Sequence, residues 1–409
     1  MQLNRVVITG MGCVTPLGRG VPAVLAGFEA GHSAVRKMDG WEQYKGLRSL
    51  VGATAELKDE KLIPRQQRRS MGRMSLFAAQ AAQDALADTG LERDAAASGR
   101  MGCIIGSTTG SAISINQAFE TMLPDRDLAK LSATSFFHCI SHTAAMNVAQ
   151  FLGINGYVTS TCAACASALQ ALGVGYDLIR LGRQDLMLCG GAEELHPTVT
   201  GSFDLLFATS TKFNQQPQLT PRPFDRDRDG LVCGEGSGLL MLENYEHARQ
   251  RNARIYAEVL GYHTCNSGDH VSESSQPAMA TCMREALRHA GLEAVEVDYL
   301  NAHATATLQG DREEAQAIRE VFGDRVPVSS FKGYLGHTLG ASAAIELAVA
   351  LQGMRNDTLY PTHNLENVSA ECAGIQHIIG APLRQPARVL VKNSFAFGGI
   401  SAVLVCKLL

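Results

Sequence analysis

Tyr157-Val158-Thr159-Ser160-Thr161-Cys162-Ala163-Ala164-Cys165-Ala166-Ser167-Ala168-Leu169-Gln170-Ala171-Leu172-Gly173 changes character halfway along. Its first part, rich in Val and Thr, is β-prone. Its second part, rich in Ala, Ser, Leu and Gln, reads as helix. A cysteine stands at the switch. A strand that turns directly into a helix presents its turn residue to a cleft. The free N–H groups and dipole of the helix N-terminus favour a thiolate there. Cys165 is therefore read as a nucleophile. Cys162 is read as a buried, inert neighbour, since free cysteine packs as a small hydrophobe.

The flanking chain alternates strands and helices. Val6 to Gly12 is an apolar run ending in glycines, read as a buried strand and a tight turn. Its two glycines invite a dinucleotide-binding reading, but Thr15 stands where a third glycine belongs. Met101 to Gly106 and Asp185 to Gly191 are further buried strands with turns. Arg65 to Leu91 reads as one helix with a basic start. Arg251 to Arg254 looks like a join, dividing the chain into 1–253 and 254–409. The second part places helices at Gln276 to Ala290, Asp311 to Val321 and Gly340 to Leu351. Strands lie before His303, near Val326 to Ser330, and at Arg388 to Ser394 and Ala402 to Cys406. The alternation implies an α/β protein with buried sheets and a similar element order in both parts.

Composition narrows the functional classes. The chain has 409 residues, 45% hydrophobic and 19% charged, which is enough apolar material for a large core. A net charge of −4 argues against general nucleic-acid binding. No apolar run reaches the ~20 residues of a membrane helix. Eleven cysteines, odd in number and scattered, do not form a disulfide framework. With Met1 to Arg5 leading straight into a strand, a reducing cytoplasm is the expected compartment.

Chemistry-bearing residues cluster at strand ends. Cys162 and Cys165 form a C-x-x-C, but mid-chain in a large protein rather than opening a small thioredoxin-like unit. A zinc reading lacks a second ligand pair at suitable spacing. His303 in Asn301-Ala302-His303-Ala304-Thr305-Ala306-Thr307 follows a strand and precedes a helix. His337 in Gly336-His337-Thr338-Leu339-Gly340-Ala341 does the same. Both point to the sheet end that carries Cys165, where open α/β sheets bind ligands. Asn393-Ser394-Phe395-Ala396-Phe397-Gly398-Gly399 adds two glycines after an aromatic residue. There the backbone can approach a ligand and aim an N–H at an oxyanion.

These motifs, with Arg222-Pro223-Phe224-Asp225 and Asp227-x-Asp229-Gly230, resemble those of the β-ketoacyl-acyl-carrier-protein synthases, condensing enzymes of the thiolase superfamily. The resemblance spans nearly the whole chain and fits the single-chain, elongating type II enzymes best. It implies a thiolase-like fold, two similar α/β halves forming a five-layered α-β-α-β-α arrangement. It places the nucleophile eight residues before a helix glycine, as Cys165 stands before Gly173. Cys165 would take the acyl chain as a thioester. The N–H groups of Cys165 and Phe397 would form the oxyanion hole. His303 and His337 would promote decarboxylation of a malonyl thioester, supported by Lys332 and Glu346. Thr305 and Thr307 would bind the phosphopantetheine arm beside Phe395. Phe397 would gate the acyl channel.

The resemblance also implies partners. Substrates ride on the 4′-phosphopantetheine of an acyl carrier protein, with no cofactor and no metal. Arg65, Arg68, Arg69 and Lys212 are candidates for docking that acidic carrier, and a homodimer is expected. Two competitors differ at the site. A chain-length factor lacks the active cysteine. A thiolase uses a second cysteine in place of one histidine. Ile400-Ser401 replaces the usual Thr-Asn, Ala304 and Ala306 replace commoner Gly and Ser, and Thr109 stands in a loop that shapes the acyl-pocket floor at the partner subunit. These departures point to an acyl preference unlike that of ordinary saturated fatty-acid synthesis, such as a polyene or another specialised chain.

Overall fold

A computed structural model describes residues 3–409. Met1 and Gln2 lie outside the described residues. The first half runs β1 (Val6–Thr15), α1 (Arg73–Thr89), β2 (Met101–Gly106), α2 (Thr143–Leu152), β3 (Val158–Thr159), α3 (Ser167–Arg180), β4 (Leu186–Glu193) and β5 (Gly236–Asn244). The second half runs β6 (Ala257–Asn266), α4 (Gln276–Ala290), β7 (Tyr299–Asn301), α5 (Leu308–Phe322), β8 (Pro327–Ser329), α6 (Ser342–Arg355), β9 (Val389–Phe395) and β10 (Ile400–Leu408).

The two halves have one topology. Strand order is β3-β2-β4-β5-β1 in the first and β8-β7-β9-β10-β6 in the second. Each holds the same mixture of pairings. β1–β5 and β5–β4 are antiparallel, while β4–β2 and β2–β3 are parallel. The corresponding pairs β6–β10, β10–β9, β9–β7 and β7–β8 repeat this. A short antiparallel contact between β1 and β6, from Val6–Val259 to Ile8–Ala257, joins the halves.

Strand alternation sorts the side chains into layers. Met101, Cys103 and Ile105 pack outward against α1 and α2, whereas Ile104 packs inward against α3. In the second half Val389 and Val391 face α4 and α5, and Leu390 faces inward. The central core holds α3 and α6 between the two sheet halves. The result is helix, sheet, helix, sheet, helix, the five layers expected. α6 is buried around almost its whole circumference, as a helix between two sheets must be.

Glycines permit the close layer contacts. A Cβ on Gly173 would lie 2.2 Å from the Tyr262 ring. The spacing from Cys165 to Gly173 is thus a packing requirement between α3 and β6. Gly10 and Gly12 differ from expectation. They lie inside β1 rather than in a turn, because α1 crosses so closely that a Cβ on Gly12 would sit 2.1 Å from the Ala81 carbonyl oxygen. No phosphate-binding loop exists there. Gly190 and Gly191 likewise lie within β4. The expected helix from Arg65 to Leu91 is also broken. A single turn, Arg65–Arg68, is separated from α1 by an extended Gly72. Arg65 and Arg69 thereby stay exposed and Arg68 half-buried, while α1 enters the core.

Candidate active site

β3 delivers the chain to Cys165, and β8 delivers it to His337, at corresponding corners of the two halves. Ala164 and Leu339 both take left-handed φ angles, 47° and 48°, each as the first residue of a single 3-10 turn that leads into α3 or α6. Such strain in residues with a Cβ costs about 1–3 kcal/mol and persists where packing over-determines it. β7 ends at Asn301 and carries His303 to the same corner. The loop after β9 brings Phe397.

Cys165, His303 and His337 are all buried. Cys165 Sγ lies 3.0 Å from His337 Nε2. His337 Nδ1 receives the Leu339 N–H at 3.3 Å and lies 2.9 Å from Ser342 Oγ. A backbone N–H can only donate, so Nδ1 is the acceptor and the neutral ring carries its proton on Nε2. His337 therefore donates to the sulfur instead of taking its proton. The His303 ring stands edge-on to His337, with centroids 5.2 Å apart. Its nitrogens have no hydrogen bond among the described residues and are free for substrate.

Electrostatics keep both rings neutral. Burial lowers both histidines well below their ordinary value, and Lys332 and Lys392 lower them further. Behind the rings, Glu346 accepts from Lys332 Nζ at 2.8 Å and from Lys392 Nζ at 2.6 Å. Burial would raise the Glu346 carboxyl, but the two ammonium groups hold it below its usual range. Burial pushes the Cys165 thiol up to about 12, with Lys332 opposing. Burial thus favours the thiol over the thiolate in the resting site.

Two backbone donors are unoccupied. Ala396 N–H and Gly398 N–H bond to Ile400 and Val271 carbonyls, but the intervening Phe397 N–H has no acceptor among the described residues. Neither has the Cys165 N–H a backbone acceptor. Gly398 and Gly399 have φ of 84° and 75°, which explains both glycines after Phe397. Ser394 Oγ donates to the Cys165 carbonyl at 2.9 Å, tying this loop to the nucleophile turn.

A cavity of about 330 Å³ opens onto these groups and is lined by Phe203, Thr305, Thr307, Phe395 and Phe397. Thr305 and Thr307 hydroxyls are 3.1 Å apart. Phe397 packs on Phe203 with centroids 5.9 Å apart. Thr109 is exposed and does not line this cavity in the single chain. Arg65, Arg68 and Arg69 sit on their own helical turn and also do not line it. Arg68 lies 3.9 Å from Glu60. Lys212 is exposed beside the mouth, where Asp229 accepts its backbone N–H at 2.8 Å.

Cys162 is a correction. It is exposed rather than buried, and its Sγ bonds the Thr108 carbonyl at 3.1 Å, while Cys165 Sγ faces His337. The two thiols turn to different partners, as a redox pair would not. The Cys165, His303 and His337 donor atoms do lie within 4.8 Å of one another. A metal there would need the His337 lone pair on Nε2, the nitrogen that the Leu339 contact leaves protonated.

Several working residues escaped the sequence reading. Glu314 accepts the N–H groups of His303 and Ala304 at 2.8 and 2.6 Å. Asp311, one turn earlier on α5, accepts those of Thr305, Ala306 and Phe224. Arg228 donates to the Leu308 carbonyl at 2.9 Å. The charged loop at Arg222 to Gly230 thus buttresses the His303 loop. The i, i+3 acids Asp311 and Glu314, following a His-x-Thr-x-Thr turn, were the available signal.

The chain matches the β-ketoacyl synthase N-terminal domain model over residues 3–248 and the C-terminal domain model over 256–366. It is 33% identical to 3-oxoacyl-[acyl-carrier-protein] synthase 1 of Haemophilus influenzae over 99% of each chain. The crystal structure of a β-ketoacyl synthase from Burkholderia phymatum superposes with a TM-score of 0.95 at 41% identity, covering 99% of this chain and 100% of that one. A type II PKS acyl-carrier protein in complex with its ketosynthase, bound to the hexaketide, gives 0.92 at 31% identity over the whole of both chains.

Ser342→Ala should lower turnover about five-fold with little change in KM, the worth of one neutral hydrogen bond near 1 kcal/mol. Ser342→Thr, which keeps the hydroxyl, should restore most of it. Steady-state kinetics check this, and a raised KM at unchanged kcat would remove Ser342 from the His337 account.

Proposed function

This chain belongs to the β-ketoacyl synthase family, whose reaction is decarboxylative condensation of acyl-carrier thioesters, and on that footing we propose how its own residues divide the work. The observation that carries the proposal is the placement of His337 Nε2 3.0 Å from Cys165 Sγ while Nδ1 accepts the Leu339 N–H, from which the Nε2-protonated neutral ring follows.

In the first half-reaction Cys165 Sγ attacks the carrier-bound acyl carbonyl. The carrier thiol leaves, taking the proton that Cys165 gives up, so no resident base is consumed. The N–H groups of Cys165 and Phe397 hold the tetrahedral oxyanion, each good donor being worth ~3–4 kcal/mol. The N-terminus of α3 favours the transient thiolate. In the second half-reaction a malonyl thioester loses carbon dioxide. The electron pair of the broken C–C bond becomes an enolate, whose oxygen accepts from His303 and His337. Neutral donors suit this step, since an imidazolium would protonate the enolate. The enolate carbon attacks the Cys165 thioester, and the C–S bond breaks to release the β-ketoacyl carrier and the Cys165 thiolate, which takes one proton from solvent water to restore the resting thiol.

Thr305 and Thr307 line the approach, where their hydroxyls can hold the phosphopantetheine arm. Phe395 flanks His303, with centroids 6.2 Å apart, and Phe397 covers the channel. Lys332 and Glu346 set the charge beneath the histidines. No cofactor takes part. Arg65, Arg68, Arg69 and Lys212 form the docking surface for the acidic carrier, the last standing nearest the mouth. The open edge of β3, with exposed Tyr157 and Val158, supports a homodimer in which Thr109 meets the partner's acyl pocket. The chain thus reads as two units, 1–253 and 254–409, working in the cytoplasm. The described residues include no helix long and apolar enough to cross a membrane.

Incubation with carrier-bound acyl thioesters, followed by intact mass, should show one acyl adduct on Cys165, absent in Cys165→Ser. Adduct on Cys162 would overturn the assignment. The same assay with competing acyl chains reads the preference, and a plain long-chain saturated preference would end the specialised-substrate reading. Arg68→Glu with Arg69→Glu should raise the KM for carrier-bound substrate at unchanged kcat. An unchanged KM makes the cluster ordinary solvated surface. Light scattering should give twice the chain mass.

A further inference from the structure

Besides the active-site trio, one other cluster among the described residues has metal-ligand spacing. His263 lies on β6, and Glu285 and His289 lie four apart on α4, so both project from one helix face. One donor atom from each falls within 4.8 Å of the others. The protonation of His289 is set by its neighbours. Its Nδ1 lies 2.7 Å from the Tyr262 carbonyl oxygen, which can only accept, so Nδ1 carries the proton and Nε2 the lone pair. Arg288 Nη2, which can only donate, lies 3.0 Å from that Nε2 and agrees. A carbonyl on the far nitrogen is the arrangement that orients metal-ligating imidazoles.

The other two donors are also available. Glu285 Oε2 accepts from Arg288 Nε at 2.9 Å, and its second oxygen has no partner among the described residues. The His263 ring has no hydrogen bond among them either, and faces His289 with centroids 5.4 Å apart. One cation, the Arg288 guanidinium, therefore already bridges two of the three donors. Its side chain is 65% exposed, so it can turn into water cheaply.

We propose that His263, Glu285 and His289 bind a divalent zinc ion, with water in the fourth position. Two imidazoles and one carboxylate suit zinc, and offer too few oxygens for calcium or magnesium. Tetrahedral bonds of about 2.1 Å bring donors to about 3.4 Å from one another, a closure that side-chain torsions can supply. The ion ties α4 to β6, the strand through which the second half meets the first.

The test titrates the full-length protein with zinc in a calorimeter, and with cobalt as a spectroscopic probe. Because the active-site trio also offers ligands, the readout must separate the two sites. Cobalt on nitrogen and oxygen donors gives visible d–d bands alone, whereas a cysteine ligand adds a thiolate charge-transfer band. We expect one ion per chain with no thiolate band, and a raised thermal midpoint. His263→Ala and His289→Ala should each weaken binding at least about 100-fold. Arg288→Ala should tighten it a few-fold. Turnover of all three variants without added metal should equal that of the unaltered protein. Absence of binding, affinity unchanged by His263→Ala and His289→Ala, or a thiolate band alone would each overturn the site.

Discussion

The carboxylate of Glu346, buried between the ammonium groups of Lys332 and Lys392, is the contact on which the reactive centre depends. Three charges leave water here, and only their mutual pairing makes that tolerable. Removing one partner of such a group typically costs about 3–5 kcal/mol. The arrangement leaves one net positive charge behind two histidines that are themselves buried. Burial and that charge act in the same direction on the imidazoles and keep them uncharged. Hydrogen-bond donors without net charge are what a decarboxylating enolate requires. The same field opposes the desolvation of Cys165 and so favours the thiolate when the acyl chain leaves.

Duplication explains how these groups come together. The two halves present the same corner, a 3-10 turn opened by a left-handed residue and leading into a central helix. In the first half that corner carries Cys165, and in the second it is entered by His337. Equivalent serines serve both corners. Ser167 Oγ accepts the Ala163 N–H at 2.9 Å, and Ser342 Oγ contacts His337 Nδ1 at 2.9 Å. Because α3 and α6 share the central core, their N-termini approach one another, which places a sulfur on one half within hydrogen-bond reach of an imidazole on the other.

The sequence made much of this legible. The β-prone run before Cys165 and the apolar strands before His303 and His337 announced strand-to-helix turns, and the ordered motifs identified the family. What stayed hidden depends on contacts distant in sequence. Gly10 and Gly12 looked like a turn because nothing local shows that Ala81 and Ala85 cross above them. Cys162 looked buried because free cysteine packs as a small hydrophobe, and nothing local shows that it follows a strand at the open sheet edge, where it is exposed in the single chain. Lys392 sits in an unremarkable apolar strand, and its pairing with Glu346 joins residues 46 apart. Asp311 and Glu314 resemble ordinary surface acids of a helix until the His303 loop folds onto them.

The neutral, Nε2-protonated state of His337 is the claim from which the rest follows. Nitrogen-15 NMR of imidazole-labelled protein, titrated from pH 5 to 9, measures it directly. A single His337 signal pair for the Nε2–H tautomer, unshifted through the ordinary histidine range near 6.5, is the expected result. Protonation with a midpoint near that value, or a proton resident on Nδ1, would contradict it.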